Sequence, residues 1–98
     1  MRLRFAKDKI ADPEKFIRRC GYGKLFDRRT GQTSYVKRLH GDLYPRFHVY
    51  IVEKGSELVF NLHLDQRATR YEGVTAHSGE YEGEVVEKEA GRIMTMLI

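Results

Sequence analysis

The chain has 98 residues, of which 33% are charged, and its 18 Lys and Arg exceed its 14 Asp and Glu. This length predicts a single domain over residues 1–98 with one hydrophobic core. The chain has no apolar run of about 18 residues that would span a membrane, and residues 1–9 lack the apolar region of a signal peptide. A single cysteine, Cys20, excludes an intrachain disulfide, so we expect a cytoplasmic protein.

Charge is unevenly distributed along the chain. Residues 1–46 hold 13 Lys and Arg against 5 Asp and Glu, whereas residues 47–98 hold 5 against 9. A basic first half predicts an anionic partner such as nucleic acid, although the two halves could instead neutralise each other across the fold or across a dimer. Asn and Gln are scarce (Asn61, Gln32 and Gln66 only), which is a bias of hyperthermophile proteins and hints at a thermophilic source.

The first segment predicts a strand followed by a short helix. Charged and apolar residues alternate over residues 2–5, which predicts a strand with Leu3 and Phe5 pointing inward. Asp12, followed by proline and an acidic residue, is typical of a helix N-terminus. Gly21 predicts a left-handed residue that ends this helix.

Two further strands are predicted at residues 24–27 and 33–39, on either side of a basic loop. Gly31 suits the left-handed position of such a loop. We expect Leu25 and Tyr35 to lie on one face of this hairpin.

Residues 46–65 predict one long β-hairpin around a two-residue turn, Gly55-Ser56. If Lys54 faces Glu57, the period of two along each strand sorts the side chains onto two faces. One face is apolar and predicts core: Phe47, Val49, Ile51, Leu58, Phe60, Leu62 and Leu64. The other face carries His48 opposite His63, Tyr50 opposite Asn61 and Val52 opposite Val59, with Asp65 one step beyond His63.

The last third predicts an irregular stretch over residues 66–83 and then a helix over residues 84–97. An apolar stripe at helical spacing marks the buried side of this helix: Val86, Ala90, Ile93 and Leu97, widened by Met94.

The elements add up to an α+β fold. We expect an antiparallel sheet of four to five strands, with the central hairpin at residues 46–65 and two helices packed on one face. A strand order that follows the sequence, as in a meander, is the simplest topology. From the first helix onward, this layout is similar to those of double-stranded-RNA-binding domains and small HicA-type toxins. It departs from the toxins at residues 30–35, which read TGQTSY where those proteins carry a catalytic histidine.

The polar face of the hairpin is the first candidate site. Two imidazoles directly opposite each other, His48 and His63, could share a cation with Asp65, and His77 could supply a further ligand. A divalent metal such as zinc would suit these ligands and would support hydrolysis at an open coordination position. The alternative is a pair of solvated histidines that hydrogen-bond to their neighbours.

Without a metal, the same face predicts acid–base chemistry. Histidine in general titrates near neutrality, so His48 and His63 could exchange protons; Tyr50 could act as an acid, and Arg38 or Arg46 could hold a phosphate. This pattern would suit a His-based hydrolase such as a nuclease.

Basic residues interleaved with tyrosines form the second candidate site. Arginine and lysine neutralise phosphates while tyrosine stacks on bases, so this set predicts binding of RNA or single-stranded DNA. Its members are Arg28, Arg29, Tyr35, Lys37, Arg38, Tyr44 and Arg46. We take nucleic-acid binding as the leading interpretation, a hydrolase as the alternative, and a structural or oligomerising protein as the third. An apolar C-terminus (Met94, Met96, Leu97 and Ile98) would supply the interface of a homo-oligomer.

Overall fold

A computed structural model of the chain describes the backbone of residues 1–66 and 78–97, and the side chains of residues 1–66 and 83–97. Within these residues the fold is α+β, with five strands, two α-helices and a short 3-10 turn. The strands are β1 (Arg2–Ala6), β2 (Gly23–Asp27), β3 (Gln32–Arg38), β4 (Arg46–Lys54) and β5 (Glu57–Asp65). The helices are α1 (Pro13–Arg19) and α2 (Ser78–Thr95), and the 3-10 turn is Lys7–Lys9.

The five described strands form one antiparallel sheet in the order β1-β5-β4-β3-β2. The predicted meander is confirmed for β2 to β5, which are neighbours in chain order, but it is wrong for β1. This strand pairs with β5, with Phe5 opposite Leu58, at the edge of the sheet away from β2. The segment that contains α1 therefore leads from one edge of the sheet to the other. No local pattern encodes that pairing.

The register of the central hairpin is the predicted one. Lys54 pairs with Glu57 beside the turn, and Arg46 pairs with Asp65 at the far end. Gly55 has a φ of +58°, a conformation that glycine adopts without a steric penalty.

This register, extended through the neighbouring strands, gives the sheet two chemically distinct faces. The inner face is mostly apolar and carries Leu3, Phe5, Lys24, Phe26, Thr33, Tyr35, Lys37, Phe47, Val49, Ile51, Glu53, Leu58, Phe60, Leu62 and Leu64. The outer face is mostly polar and carries Arg2, Arg4, Ala6, Gly23, Leu25, Asp27, Gln32, Ser34, Val36, Arg38, Arg46, His48, Tyr50, Val52, Lys54, Glu57, Val59, Asn61, His63 and Asp65.

One buried cluster contains inner-face side chains together with residues of both helices. Phe16 of α1 makes edge-on ring contacts with Phe5 and Phe60, with centroids 6.2 Å and 6.0 Å apart. Asp12 caps α1 as predicted, because its carboxylate accepts a hydrogen bond from the Lys15 amide at 3.1 Å. These contacts hold a helix that is too short to be stable alone.

The face assignment of β2 differs from the prediction. Leu25 pairs with Ser34, and Tyr35 pairs with Lys24, so Leu25 lies on the outer face and Tyr35 on the inner face. The loop between β2 and β3 sets this register, and Gly31 has the predicted left-handed conformation there, with φ of +76°. A difference of one residue in loop length would exchange the two faces, which is why strand patterns alone could not fix it.

Helix α2 begins at Ser78, so the predicted irregular stretch is wrong over residues 78–83; residues 67–77 lie outside the described part. Ala90 and Ile93 are buried as predicted, and Val86 and Leu97 pack against the core. Met94 is exposed, and Val85 packs against the core instead. None of the described helices is long and apolar enough to cross a membrane.

A buried carboxylate, which no sequence pattern predicted, joins α2 to the segment that follows α1. Glu89 is only 6% exposed and accepts hydrogen bonds from the Tyr22 hydroxyl at 2.5 Å and from Arg92 Nε at 2.8 Å. Arg92 also donates to the carbonyl of Cys20 at 2.5 Å. Burial by itself would raise the pKa of Glu89, but the hydrogen bonds from Arg92 and Tyr22 outweigh it and lower that pKa.

Candidate functional site

The outer face presents a row of three adjacent aromatic rings at its centre. Tyr50 lies between two histidines: its ring centroid is 4.7 Å from that of His48 and 6.3 Å from that of His63. The ring of His48 is tilted by 36° to that of Tyr50, and the ring of His63 meets it edge-on at 68°. A shallow depression of about 540 Å³ includes Tyr50, Asn61 and His63 in its lining. Tyr50 and His48 are half-buried and His63 is exposed, so the uncovered ring surface could stack on a planar ligand.

His48 is held in place by a hydrogen-bonded chain that crosses three strands. Its Nδ1 lies 2.8 Å from Asp65 Oδ2 on β5, and its Nε2 lies 2.7 Å from Ser34 Oγ on β3. Arg46 Nε donates to the same Asp65 oxygen at 3.4 Å. These hydrogen bonds fix the orientation of the imidazole ring beside Tyr50.

Ser34 is the member of this chain that the sequence did not reveal. It is 4% exposed, and it pairs with Leu25 of β2. The only sequence signal that Ser34 lies beside His48 would have been the register between β3 and β4. In that register Val36 is opposite His48, and Ser34 is the next residue of β3 on the same face. That register depends on the geometry of residues 39–45, which no pattern of strand residues specifies.

His63 is opposite His48, as predicted, but is more exposed. Burial lowers the pKa of His63 below the ordinary 6.5, and the N-terminus and His48 lower it further. Asp65 acts in the opposite direction, but its effect is smaller. Since both ring nitrogens of His48 already have partners, a metal shared with His63 would have to displace Ser34 or Asp65. The described side chains, those of residues 1–66 and 83–97, contain no group of three His, Cys, Asp or Glu placed to hold a metal ion. His77, the further predicted ligand, lies outside these residues.

The basic residues predicted to bind nucleic acid fall into three groups. Arg38 and Arg46 are directly opposite each other on the outer face. The Arg46 guanidinium carbon lies 4.6 Å from the centroid of the Tyr44 ring, so Tyr44 joins this group through a cation–π contact. These three residues lie at the same end of β4 as Asp65.

The other two groups lie elsewhere. Tyr35 is buried on the inner face, with its hydroxyl 3.3 Å from a carboxylate oxygen of Glu14, and burial and that carboxylate raise its pKa. Lys37 lies on the same side of the sheet, because it pairs with Phe47. Arg28 and Arg29 are exposed in the loop between β2 and β3. The structure therefore does not bring all seven predicted residues onto one surface.

Three cations that were not predicted to belong to the site lie on the outer face. Arg2 and Arg4 reach it because β1 pairs with β5, where they are opposite Asn61 and Val59. Lys54 ends β4 on the same face and joins them in lining a small groove of about 110 Å³. Arg4 also makes a loose ion pair with Glu57 at 3.7 Å.

At the C-terminus, Met96 and Leu97 are partly buried against the core, whereas Met94 is exposed. Ile98 lies outside the described residues. An interface between two copies at this end of the chain stays a prediction.

Comparison with known proteins assigns no family to this arrangement, since no family model, curated protein or solved structure matches the chain.

Proposed function

We propose that the outer face of the sheet binds single-stranded nucleic acid, either RNA or single-stranded DNA. The observation that carries this proposal is the stack of Tyr50 with His48 and His63 on a sheet face bordered by arginines. Bases stack on such rings regardless of sequence, and each stacked base contributes about 1–3 kcal/mol. The hydrogen bonds of His48 to Asp65 and Ser34 hold its ring in a fixed orientation, which lowers the entropy cost of stacking a base beside it.

The charge pattern along β4 supports a strand of nucleic acid that follows this β-strand. Its outer-face residues are Arg46, His48, Tyr50, Val52 and Lys54, so a cation stands at each end of the aromatic pair. Eight steps of about 3.4 Å give this row a length of about 27 Å, which is room for roughly four nucleotides. Arg38 extends the positive charge at one end and Arg4 at the other.

The packing of the two described helices supports an outer face that is open to a ligand. Apolar residues of α1 and α2 share one core cluster with inner-face residues, which supports the placement of both helices on that face. No described helix contributes to the lining of the depression beside Tyr50. A cytoplasmic location, expected from the single cysteine, would bring the face into contact with RNA.

Fluorescence anisotropy with labelled single-stranded oligonucleotides tests the proposal. Tyr50→Ala should raise Kd by roughly 5-fold to 150-fold, which corresponds to the loss of one stacked base. Met94→Ala is the control, because it shortens an exposed side chain on α2, outside the proposed binding row. Equal affinities of the two variants would contradict the proposed stacking.

Salt dependence tests the part played by the arginines. Arg38→Ala should lower the slope of log K against log salt by about 1, because one phosphate contact is lost. Arg18→Ala on α1 removes an equal charge from another surface and should leave the slope unchanged. Binding that does not weaken with salt would rule out contacts to the phosphates.

A His-based hydrolase is the second candidate function, and the chain Asp65–His48–Ser34 favours it. A carboxylate on Nδ1 and a hydroxyl on Nε2 hold an imidazole as a general base toward that hydroxyl. Ser34 is buried, so the chain also suits a purely orienting role. A cleavage assay on single-stranded RNA and on an activated ester distinguishes the catalytic role from the orienting role. Turnover that is abolished in Asp65→Asn and Ser34→Ala would support the hydrolase, and no turnover in the unmodified protein would exclude it.

A further inference from the structure

The two edges of the sheet differ in how they are protected from other strands. The β1 edge carries Arg2 and Arg4, and charged side chains on an edge discourage pairing with another strand. The β2 edge instead exposes two adjacent apolar side chains, Leu25 at 36% and Phe26 at 57%. In the described part of the chain, β3 is the only strand that pairs with β2.

The sequence of β2, Gly-Lys-Leu-Phe-Asp, is complementary to itself when two copies run antiparallel. If Leu25 lies on the two-fold axis opposite its own copy, Lys24 faces Phe26 and Gly23 faces Asp27. No like charges are then opposed. In this register each residue is opposite a residue whose position number has the same parity, so outer-face side chains lie opposite outer-face side chains. The outer faces of the two copies therefore lie on the same side of the joined sheet.

The two neighbouring registers with the same parity are less favourable. The register centred on Lys24 would place two lysines opposite each other on the two-fold axis. The other has a similar conflict. Centred on Phe26, it would place Lys24 opposite Arg28 and Leu25 opposite Asp27. Like charges directly opposite each other destabilise a strand pair. The charges around β2 therefore select the register centred on Leu25.

We infer that two copies of this chain associate through β2 in an antiparallel pair centred on Leu25. The described strands of the two copies then form one continuous ten-stranded sheet, and the row of backbone groups along each β2 edge is paired. This interface lies away from the apolar C-terminus where the sequence alone placed it, and it does not depend on nucleic-acid binding.

Light scattering coupled to gel filtration tests the association. We expect the mass to approach twice the 11.5 kDa of the chain as concentration rises. Leu25→Lys should restore the monomer mass, because it places two lysines against each other on the two-fold axis. Val52→Lys adds the same charge to an exposed position on the central strand β4 and should remain a dimer. Circular dichroism of each variant confirms that it is folded.

Disulfide trapping tests the register and does not require the lysine variant to fold. Leu25→Cys should cross-link under mild oxidation, because opposed residues in an antiparallel pair have Cα atoms about 4.5–5.5 Å apart, within disulfide range. Phe26→Cys should cross-link poorly, since its two copies would be about 8 Å apart. The unmodified chain controls for Cys20, which is buried.

Two results would overturn the inference. The first is a monomer mass at every concentration, together with cross-linking of Leu25→Cys no faster than that of Val52→Cys. The second is a dimer that persists in folded Leu25→Lys, which would place the interface elsewhere. Efficient cross-linking of Phe26→Cys but not of Leu25→Cys would overturn the register.

Discussion

Removal of Arg92 should destabilise the fold far more than removal of an exposed arginine. Glu89 is 6% exposed and receives two hydrogen bonds from Arg92, from Nε at 2.8 Å and from Nη2 at 2.9 Å. In Arg92→Met the carboxylate would keep only the Tyr22 hydroxyl as a partner. Breaking a buried ion pair from one side costs about 3–5 kcal/mol, and since Arg92 itself is 39% exposed we expect the lower value, about 3 kcal/mol.

Urea denaturation followed by circular dichroism measures this cost as a change in the free energy of unfolding. Arg4→Met is the matched control, because its ion pair with Glu57 is long and exposed and should contribute less than about 1 kcal/mol. Glu89→Gln removes the buried charge, so the double variant Glu89→Gln/Arg92→Met should cost less than the sum of the single changes. Equal costs of Arg92→Met and Arg4→Met would refute the view that Glu89 depends on a buried ion pair.

Two further predictions concern α2 and the outer face. Gly91 lies inside α2, and a Cβ there would have no neighbour within 4 Å, so Gly91→Ala should stabilise the protein by about 1 kcal/mol in the same urea assay. Gly31→Ala is the counterpart, and it should destabilise the protein because Gly31 has a φ of +76°. A Gly91→Ala protein that is less stable than the unmodified one would contradict the open surroundings of Gly91. His63 should make stability fall in mild acid: its pKa is lowered in the folded state, so the unfolded chain takes up the proton first as the pH drops through 6.5. Between about pH 7.5 and about pH 5.5, His63→Asn should therefore lose less stability than the unmodified protein, and identical losses would refute a lowered pKa.

The central hairpin shows how much of the fold a local pattern can specify. The alternation of apolar and polar residues, the β-branched and aromatic content and the glycine of the turn all favour the same register. The structure has that register from Lys54–Glu57 to Arg46–Asp65. The N-cap of α1 and the left-handed Gly21 after it could likewise be predicted, because each depends on contacts within a few residues.

The candidate site could be predicted only in part, because only some of its contacts are local in the chain. His48, His63, Tyr50 and Asp65 share a face because they belong to one hairpin, and that placement follows from its register. The partner of His48 on its other side, Ser34, comes from a strand whose register depends on a connecting loop. Strand patterns carry no signal for loop geometry.

By itself, the sequence determined the elements whose stabilising contacts are local in the chain: the hairpin, its two faces, and the capped ends of α1. Only the tertiary structure decided the position of β1 beside β5, the burial of Glu89, and the assignment of Leu25 to the outer face. The first two depend on contacts between distant segments, where the free energy of burying apolar surface must exceed the entropy cost of closing a long loop. The third depends on the loop between β2 and β3, which sets the register of those two strands. The alternation in β1 puts Arg2 and Arg4 on the face away from Leu3 and Phe5, but only the pairing with β5 places them beside Asn61 and Val59.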